Sequence, residues 1–259
     1  MQVDFGRTAA DYARHRAGFP EELFERLAAR GIGRAGQRVL DLGSGTGSLA
    51  RGFARRGARV TALDISEDLL AQARVLAAEE GVAVETLCAP AEDSGLAAAR
   101  FEVVSAGQCW HWFDRPRVVA EVRRLLAPGG RLAICHFDWL PRPGNVVAAT
   151  EALIEAHNPA WTLGGGDGFY PAWAEDAAGA GFGAIESFSF ETSVSYDHGA
   201  WRGRIRASAG VGGSLAPEAV AAFDRALAVL LAAEFPGEPL RVPHRCFALT
   251  AIAPGTAPP

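Results

Sequence analysis

Val39-Leu40-Asp41-Leu42-Gly43-Ser44-Gly45-Thr46-Gly47 decides how this chain folds. A short apolar run, Arg38 to Leu42, gives way to a turn with glycine at every second position. Leu49, Ala50, Phe53 and Ala54 then recur at helical spacing. A strand that feeds a glycine turn and a helix is the opening of a strand–helix–strand unit. Glycine has no Cβ, so the backbone there can take left-handed conformations and approach a ligand closely. In a parallel sheet such a turn sits at the carboxyl end of its strand, where ligands bind.

The pattern repeats downstream. Arg59 to Asp64 reads as a second strand, and Ser66 as the N-cap of a helix carrying Leu69, Leu70, Ala73 and Leu76 and stopping at Gly81. Val82 to Cys88 is a third strand and Phe101 to Ala106 a fourth. Asp114 caps a helix with Val118, Val119, Val122, Leu125 and Leu126, and Pro128-Gly129-Gly130 turns the chain into a fifth strand, Arg131 to Phe137. Upstream, Pro20 opens a helix over Glu21 to Arg30 that Gly31 ends. Strand and helix alternate throughout, which predicts an α/β fold: a doubly wound, mostly parallel sheet with helices on both faces.

After Phe137 the pattern changes. Asp138 to Gly183 is rich in Pro, Gly, Trp and Asn, with helical stretches near Asn145–His157 and Tyr170–Ala180. Ala184 to Tyr196 alternates as a strand does, Ala200–Ala209 and Ala216–Phe235 read as helices, and Arg241 to Ile252 as a final strand. The expected organisation is an N-terminal helical segment over 1–36, a binding core over 37–137, and a cap over 138–259 interleaved with the last two of seven strands. Gly164-Gly165-Gly166-Asp167-Gly168 does not lie between a strand and a helix of the sheet, so it reads as a lid or connection.

Composition limits the chemistry. The chain has 259 residues, of which 49% are hydrophobic, enough for a substantial core. Its formal net charge of −5 gives no basic surface for a long anionic polymer, so no nucleic-acid partner is expected. All 25 basic residues are arginine, which excludes a Schiff-base lysine and a Walker-type phosphate lysine. Cys88, Cys109, Cys135 and Cys246 each fall in or beside an apolar run and read as buried small hydrophobes; without a CxxC pair, no metal is expected. Met1 to Gly18 has no apolar signal core, and no run reaches the ~20 apolar residues of a membrane helix, so a cytoplasmic chain without a membrane partner is expected.

The turn admits two cofactor classes. A dinucleotide fold with GxGxxG would need its third glycine at Ser48, and the acid at Asp41 opposes an anionic pyrophosphate while suiting a cationic group. Asp64 ends the second strand roughly 20 residues on, where a carboxylate accepts from ribose hydroxyls.

These residues carry a resemblance. Val39–Gly47 resembles the first motif of class I S-adenosylmethionine-dependent methyltransferases, and Val60-Thr61-Ala62-Leu63-Asp64-Ile65-Ser66 the second. Ala89-Pro90-Ala91-Glu92 is similar to the segment that contacts adenine, and Leu125 to Leu132 to the turn into the fifth strand. Asp11-Tyr12 with Arg16-Ala17-Gly18-Phe19-Pro20, and Gln108-Cys109-Trp110-His111-Trp112-Phe113-Asp114, resemble the UbiE-like and trans-aconitate-methyltransferase-like branch, methyltransferase type 11. The resemblance implies a Rossmann-like seven-stranded sheet and S-adenosylmethionine as methyl donor, leaving S-adenosylhomocysteine. Gly43, Ser44, Gly45, Gly47, Asp64, Ile65, Ala91, Glu92 and Gln108 would hold it, with Tyr12 and Arg16 closing over its methionine end.

Methyl transfer from a sulfonium is an in-line displacement, so the protein must align the reactants and exclude water. A base is needed only for an acceptor that carries a proton. His111, after the fourth strand, is the first candidate for that base or for ordering the loop; His136, ending the fifth strand, is the second. Trp110, Trp112, Trp139 and Tyr196 are candidate acceptor-lining residues. Arg204, with Arg202 and Arg206, either clamps an anionic acceptor or forms a solvated helix face. The expected activity is O-, carboxyl-O- or N-methylation of a small molecule by a monomer or homodimer. The competing readings are a donor-binding protein that does not methylate and a nicotinamide-dependent oxidoreductase.

Overall fold

A computed structural model describes His15 and residues 17–255. Tyr12 and Arg16 lie outside the described residues. The chain divides into two units. The sheet unit comprises the described parts of Gly18–Phe137, Tyr170–Phe190 and Cys246–Pro259; the helical unit, those of Met1–Ala17, Asp138–Phe169 and Glu191–Arg245.

The order of elements is α1 (Glu21–Ala29), β1 (Arg38–Leu42), α2 (Ser48–Arg55), β2 (Arg59–Asp64), α3 (Glu67–Glu79), β3 (Val84–Cys88), β4 (Phe101–Gly107), a 3-10 turn (Trp110–Trp112), α4 (Arg115–Leu125), β5 (Leu126–Trp139), α5 (Val146–His157), α6 (Ala172–Gly179), β6 (Gly183–Tyr196), α7 (His198–Arg206), α8 (Pro217–Glu234) and β7 (Leu240–Ile252). The seven strands form one sheet in the order β3-β2-β1-β4-β5-β7-β6. β1 pairs in parallel with β2 and with β4, β2 with β3, and β4 with β5. β7 runs the other way: Ala253 N donates to Gly130 O at 2.8 Å, and Leu140 N to Pro243 O at 2.9 Å, so residue numbers fall along one strand as they rise along the other.

The element boundaries follow local chemistry. Ser66 Oγ accepts from Leu69 N at 3.4 Å, Asp114 Oδ1 from Arg117 N at 3.2 Å, and Asn145 Oδ1 from Ala148 N at 2.9 Å, each satisfying an amide that a helix start leaves without a partner. Pro128-Gly129-Gly130 does not end before β5 but lies within it. Phe101 pairs with Leu126 and Val103 with Arg131, so two residues of advance on β4 face five on β5. Gly129, at φ +73°, absorbs that excess as a bulge.

In the sheet unit Leu40, Leu42, Val104, Ala106, Leu132 and Ile134 are fully buried. Val118, Val122 and Leu125 cover them from α4, the positions that face inward at helical spacing. In the helical unit α5, α7 and α8 bury Val147, Ile154, Trp201, Ile205, Phe223 and Leu227 around a second core. Cys109, Cys135 and Cys246 are buried as expected, but Cys88 is exposed. It ends β3, the edge strand of the sheet, and an edge has no neighbour to cover it.

Candidate functional site

The glycine turn leaves β1 with Gly43 and Gly45 both at φ +56° and Gly47 at +79°. The two inner glycines differ. A Cβ on Gly43 would lie 2.8 Å from Cys109 Cβ and 2.9 Å from the ring of Phe113, so glycine is needed there for packing. A Cβ on Gly45 would meet no protein atom within 4 Å, so that face of the turn is open to a ligand. Ser44 N donates to Leu63 O at 2.9 Å and Gly47 N to Ser44 O at 2.9 Å, which fixes the turn's path.

Asp64 stands opposite. Its Oδ2 accepts from Gly45 N at 2.7 Å and its Oδ1 from Ser66 N at 2.9 Å. Burial raises its pKa from the ordinary aspartate value, while the amides of Ser66, Gly45 and Ile65 favour the charge. Each oxygen has a further lone pair, so the carboxylate is oriented and still able to accept. Ile65, the next residue, is 77% exposed, an apolar side chain presented beside that carboxylate.

Asp41 lies under the turn rather than on its surface. It is buried, and Ser105 Oγ donates to its Oδ1 at 2.7 Å. Burial raises its pKa to about 7, against the pull of hydrogen bonds that include those from the Ser105 hydroxyl and the Ala50 amide. Its role is to tie β1, β4 and the start of α2 together beneath the turn.

The other expected donor-site residues show what holds them. Ala91 is buried. Glu92 Oε1 accepts from Asp114 N at 3.0 Å, so it fixes the approach to α4. Gln108 sits at φ +60°, a conformation uncommon outside glycine, with its N donating to Cys135 O at 2.9 Å and its Nε2 to Phe137 O. Its side-chain amide thus braces the ends of β4 and β5, and the strained backbone marks the edge where the two strands deliver side chains.

Trp110 corrects an expectation. It is fully buried, and its Nε1 donates to Asp176 Oδ2 at 3.0 Å, so it is a core residue that anchors α6 and not an acceptor-lining wall. Trp112 is 41% exposed and remains at the surface. His111 stands beside it, with ring centroids 4.6 Å apart, and 5.3 Å from the ring of His136. His136 is buried at the end of β5, 4.5 Å from Tyr170 and 5.5 Å from Trp173. Tyr170 and Trp173 stack in parallel at 4.1 Å. The two histidines therefore converge on one aromatic wall. The sequence reading placed Tyr170 in a helical stretch without a site role; its spacing of three from Trp173, at the start of α6, was the available signal.

Trp139, Tyr196 and Arg204 belong to the helical unit. Trp139 Nε1 donates to Glu151 Oε1 at 2.7 Å, and the Arg204 guanidinium lies 4.6 Å above the Trp139 ring. Tyr196 is buried, 5.3 Å from Trp201. Arg206 Nη1 pairs with Asp224 Oδ1 at 2.9 Å, and Arg202 also pairs with Asp224. Those two arginines link α7 to α8 through Asp224. Gly165 N donates to Glu151 Oε2 at 2.8 Å, so the glycine loop is a connection tied to α5. Among the described residues no group of three or more His, Cys, Asp or Glu is placed to hold a metal ion, and no helix is long and apolar enough to cross a membrane.

This geometry has counterparts. Residues 40–134 match the family described as methyltransferase domain. That stretch of the chain is similar to a methyltransferase domain. Its β1 turn, Asp64, and the ends of β4 and β5 all fall inside or directly beside that domain. An uncharacterized methyltransferase of Mycobacterium bovis is 37% identical over 153 residues, 57% of this chain and 60% of the relative. A malonyl-[acyl-carrier protein] O-methyltransferase of Enterobacter lignolyticus is 37% identical over 140 residues, 53% of this chain and 54% of the relative. The chain thus spans little more than half the length of these relatives. A putative type II methyltransferase from Anaeromyxobacter dehalogenans, known from its solved structure, is 25% identical with a TM-score of 0.64, covering 92% of this chain and 99% of that one.

Proposed function

We propose that this chain is an S-adenosylmethionine-dependent methyltransferase whose acceptor is a small molecule. The observation that carries this reading is the pairing of Gly45 with Asp64: an open glycine face and an oriented carboxylate at the ends of adjacent strands, within a stretch similar to a methyltransferase domain. Asp64 would accept from the ribose hydroxyls, Ile65 and Ala91 would flank adenine, and Gly43, Ser44 and Gly47 would shape the turn along the amino-acid portion. Glu92 and Gln108 would act mainly by holding the loops that border it. Tyr12 and Arg16 would close over the methionine end. The bound cofactor supplies an electrophilic methyl group on a sulfonium.

The chain's own residues supply alignment and, for an acceptor that carries a proton, a base. His111 is the candidate with solvent access, and His136 stands behind it against Tyr170 and Trp173. An acceptor carboxylate would need neither as a base. Residues 138–259 would supply the rest of the acceptor cap, and the enzyme would work in the cytoplasm as a monomer or homodimer. Ser48 stands where a dinucleotide fold needs its third glycine, and its Oγ accepts from Phe19 N at 3.3 Å, so the nicotinamide alternative has no support in the turn.

The test pairs binding with turnover. S-adenosylhomocysteine should bind at least tenfold tighter than NAD by calorimetry, and a panel of phenol, carboxylate and amine acceptors should yield methylated product. One of the variants His111→Ala and His136→Ala should lower kcat for a proton-bearing acceptor by about 10²–10⁴, the usual contribution of a general base. Near-wild-type rates in both variants would remove the base. Tighter NAD binding would overturn the whole reading.

A further inference from the structure

The sheet unit has a recess of about 300 Å³ away from the glycine turn. Arg30 and Arg34 line it from the end of α1 and just beyond, Arg131 from β5, Glu186 from β6 and Thr250 from β7. Arg131 pairs with Val103, whereas the glycine turn follows Leu42, which pairs with Ala106 further along β4. The recess is therefore at the opposite end of the strands from the methyl-donor site.

Its charges are unbalanced. Three guanidinium groups face one carboxylate, which leaves two positive charges uncompensated. Several other arginines of the sheet unit are matched: Arg26 with Glu22 at 2.6 Å, Arg51 with Glu80 at 2.8 Å, and Arg38 with Glu102. Glu186 approaches Arg30 at 3.4 Å, an ion pair in which the buried Arg30 Nε makes no hydrogen bond. Arg34 uses Nε on Ala28 O at 3.0 Å and pairs with no carboxylate among the described residues. Arg131 likewise has no carboxylate partner among them.

The site is also built. Gly31 is at φ +78°, and a Cβ there would lie 3.1 Å from Arg131 Nε, so glycine makes the room that guanidinium occupies. Arg30 is fixed by its Nη1 bond to Arg26 O at 3.1 Å and by its position 4.5 Å over the Phe188 ring. Thr250 is buried and adds a hydroxyl. A guanidinium fork matches the oxygens of a phosphate in bidentate fashion, and two excess positive charges suit a dianion better than a monocarboxylate. The volume is at the lower end of ligand pockets, room for a phosphate with a short organic tail.

We propose that this recess binds a small phosphate-bearing anion, independently of the methyl-donor site. Calorimetry on the full chain at constant ionic strength would titrate inorganic phosphate, glycerol 3-phosphate and acetate. Saturable binding of inorganic phosphate or glycerol 3-phosphate, with acetate at least tenfold weaker, is expected. The two phosphate arms distinguish a free phosphate ligand from a phosphomonoester. In the double variant Arg34→Gln/Arg131→Gln phosphate binding should weaken at least tenfold, and Arg131→Lys should lose less than Arg131→Gln. S-adenosylhomocysteine affinity should stay within twofold in every variant, which certifies the fold and separates this proposal from the methyltransferase reading. Should the double variant unfold, the two single Gln variants carry the test. No saturable phosphate binding, acetate binding as tight as phosphate, or phosphate binding unchanged in the variants would overturn it.

Discussion

Asp41 and the two inner glycines of the turn sit within a few residues of one another and do separate jobs. Burial holds the Asp41 pKa at about 7, above its ordinary 3.8, so the folded state binds a proton that the unfolded chain has released. Its stabilising contribution is complete below about pH 4 and declines as pH rises toward 7, by about 1.4 kcal/mol for each pH unit crossed. Asp41→Asn cannot titrate. Urea unfolding should therefore show the variant gaining stability relative to wild type between about pH 5 and pH 7.5; a constant difference would mean that Asp41 stays charged throughout. The glycines separate by what a methyl group would meet. Gly43→Ala should cost the left-handed backbone penalty of about 1–2 kcal/mol and about 1–3 kcal/mol more, because the new Cβ also overpacks Cys109 and Phe113. Gly45→Ala should cost only the left-handed backbone penalty, about 1–2 kcal/mol, yet weaken S-adenosylhomocysteine binding at least tenfold. Equal binding losses in the two variants would show that Gly45 does not face the cofactor. The sequence reading grouped all three glycines as cofactor contacts, since spacing cannot say which Cβ position is open.

At the scale of elements, the reading succeeded where one residue decides a boundary by itself. Ser66, Asp114 and Asn145 cap their helices with their own side chains, so nothing distant is needed to place them. It failed where the answer depends on a partner strand or helix. Pro128-Gly129-Gly130 looks like a turn until β4 pairs on both sides of it and makes it a bulge. Trp110 looks like a pocket wall until α6 brings Asp176 to its indole nitrogen. Arg202 and Arg206 look free until α8 brings Asp224. Burial alone would raise the Asp224 pKa; the bonds from Arg202 and Arg206 outweigh it and hold the carboxyl low. Asp224→Asn should therefore cost about 1–2 kcal/mol, measured by urea unfolding at pH 7, through two charge-assisted bonds weakened at a partly exposed site. Acceptor KM should not change. A rise in KM without loss of stability would return these arginines to the acceptor site.

For the whole molecule, the half that alternates strand and helix was legible because its periodicity states its layers, and Gln37 to Phe137 holds the turn, Asp64 and both histidines. The later half was legible only as separate elements. Nothing in their spacing indicates that Tyr170–Phe190 and Cys246–Pro259 group with the sheet while the segments around them form a helical core. Tyr170 and Trp173 were missed for that reason: they reach His136 only through that grouping. The donor site should nonetheless register on the stability of the protein, because a ligand that binds only the folded state stabilises it by mass action. At a hundred times its Kd, S-adenosylhomocysteine should add about 2.7 kcal/mol. For a chain of this size that corresponds to a rise in Tm of about 5–11 °C. Calorimetric scans with S-adenosylhomocysteine, NAD and no ligand test it directly. NAD at the same concentration should leave Tm within about a degree, because a ligand whose Kd lies well above the dosed concentration adds almost nothing. In the variant Asp64→Ala the S-adenosylhomocysteine shift should largely vanish, since the carboxylate that orients both Gly45 and the ribose is gone; an undiminished shift would locate the cofactor somewhere other than the end of β2.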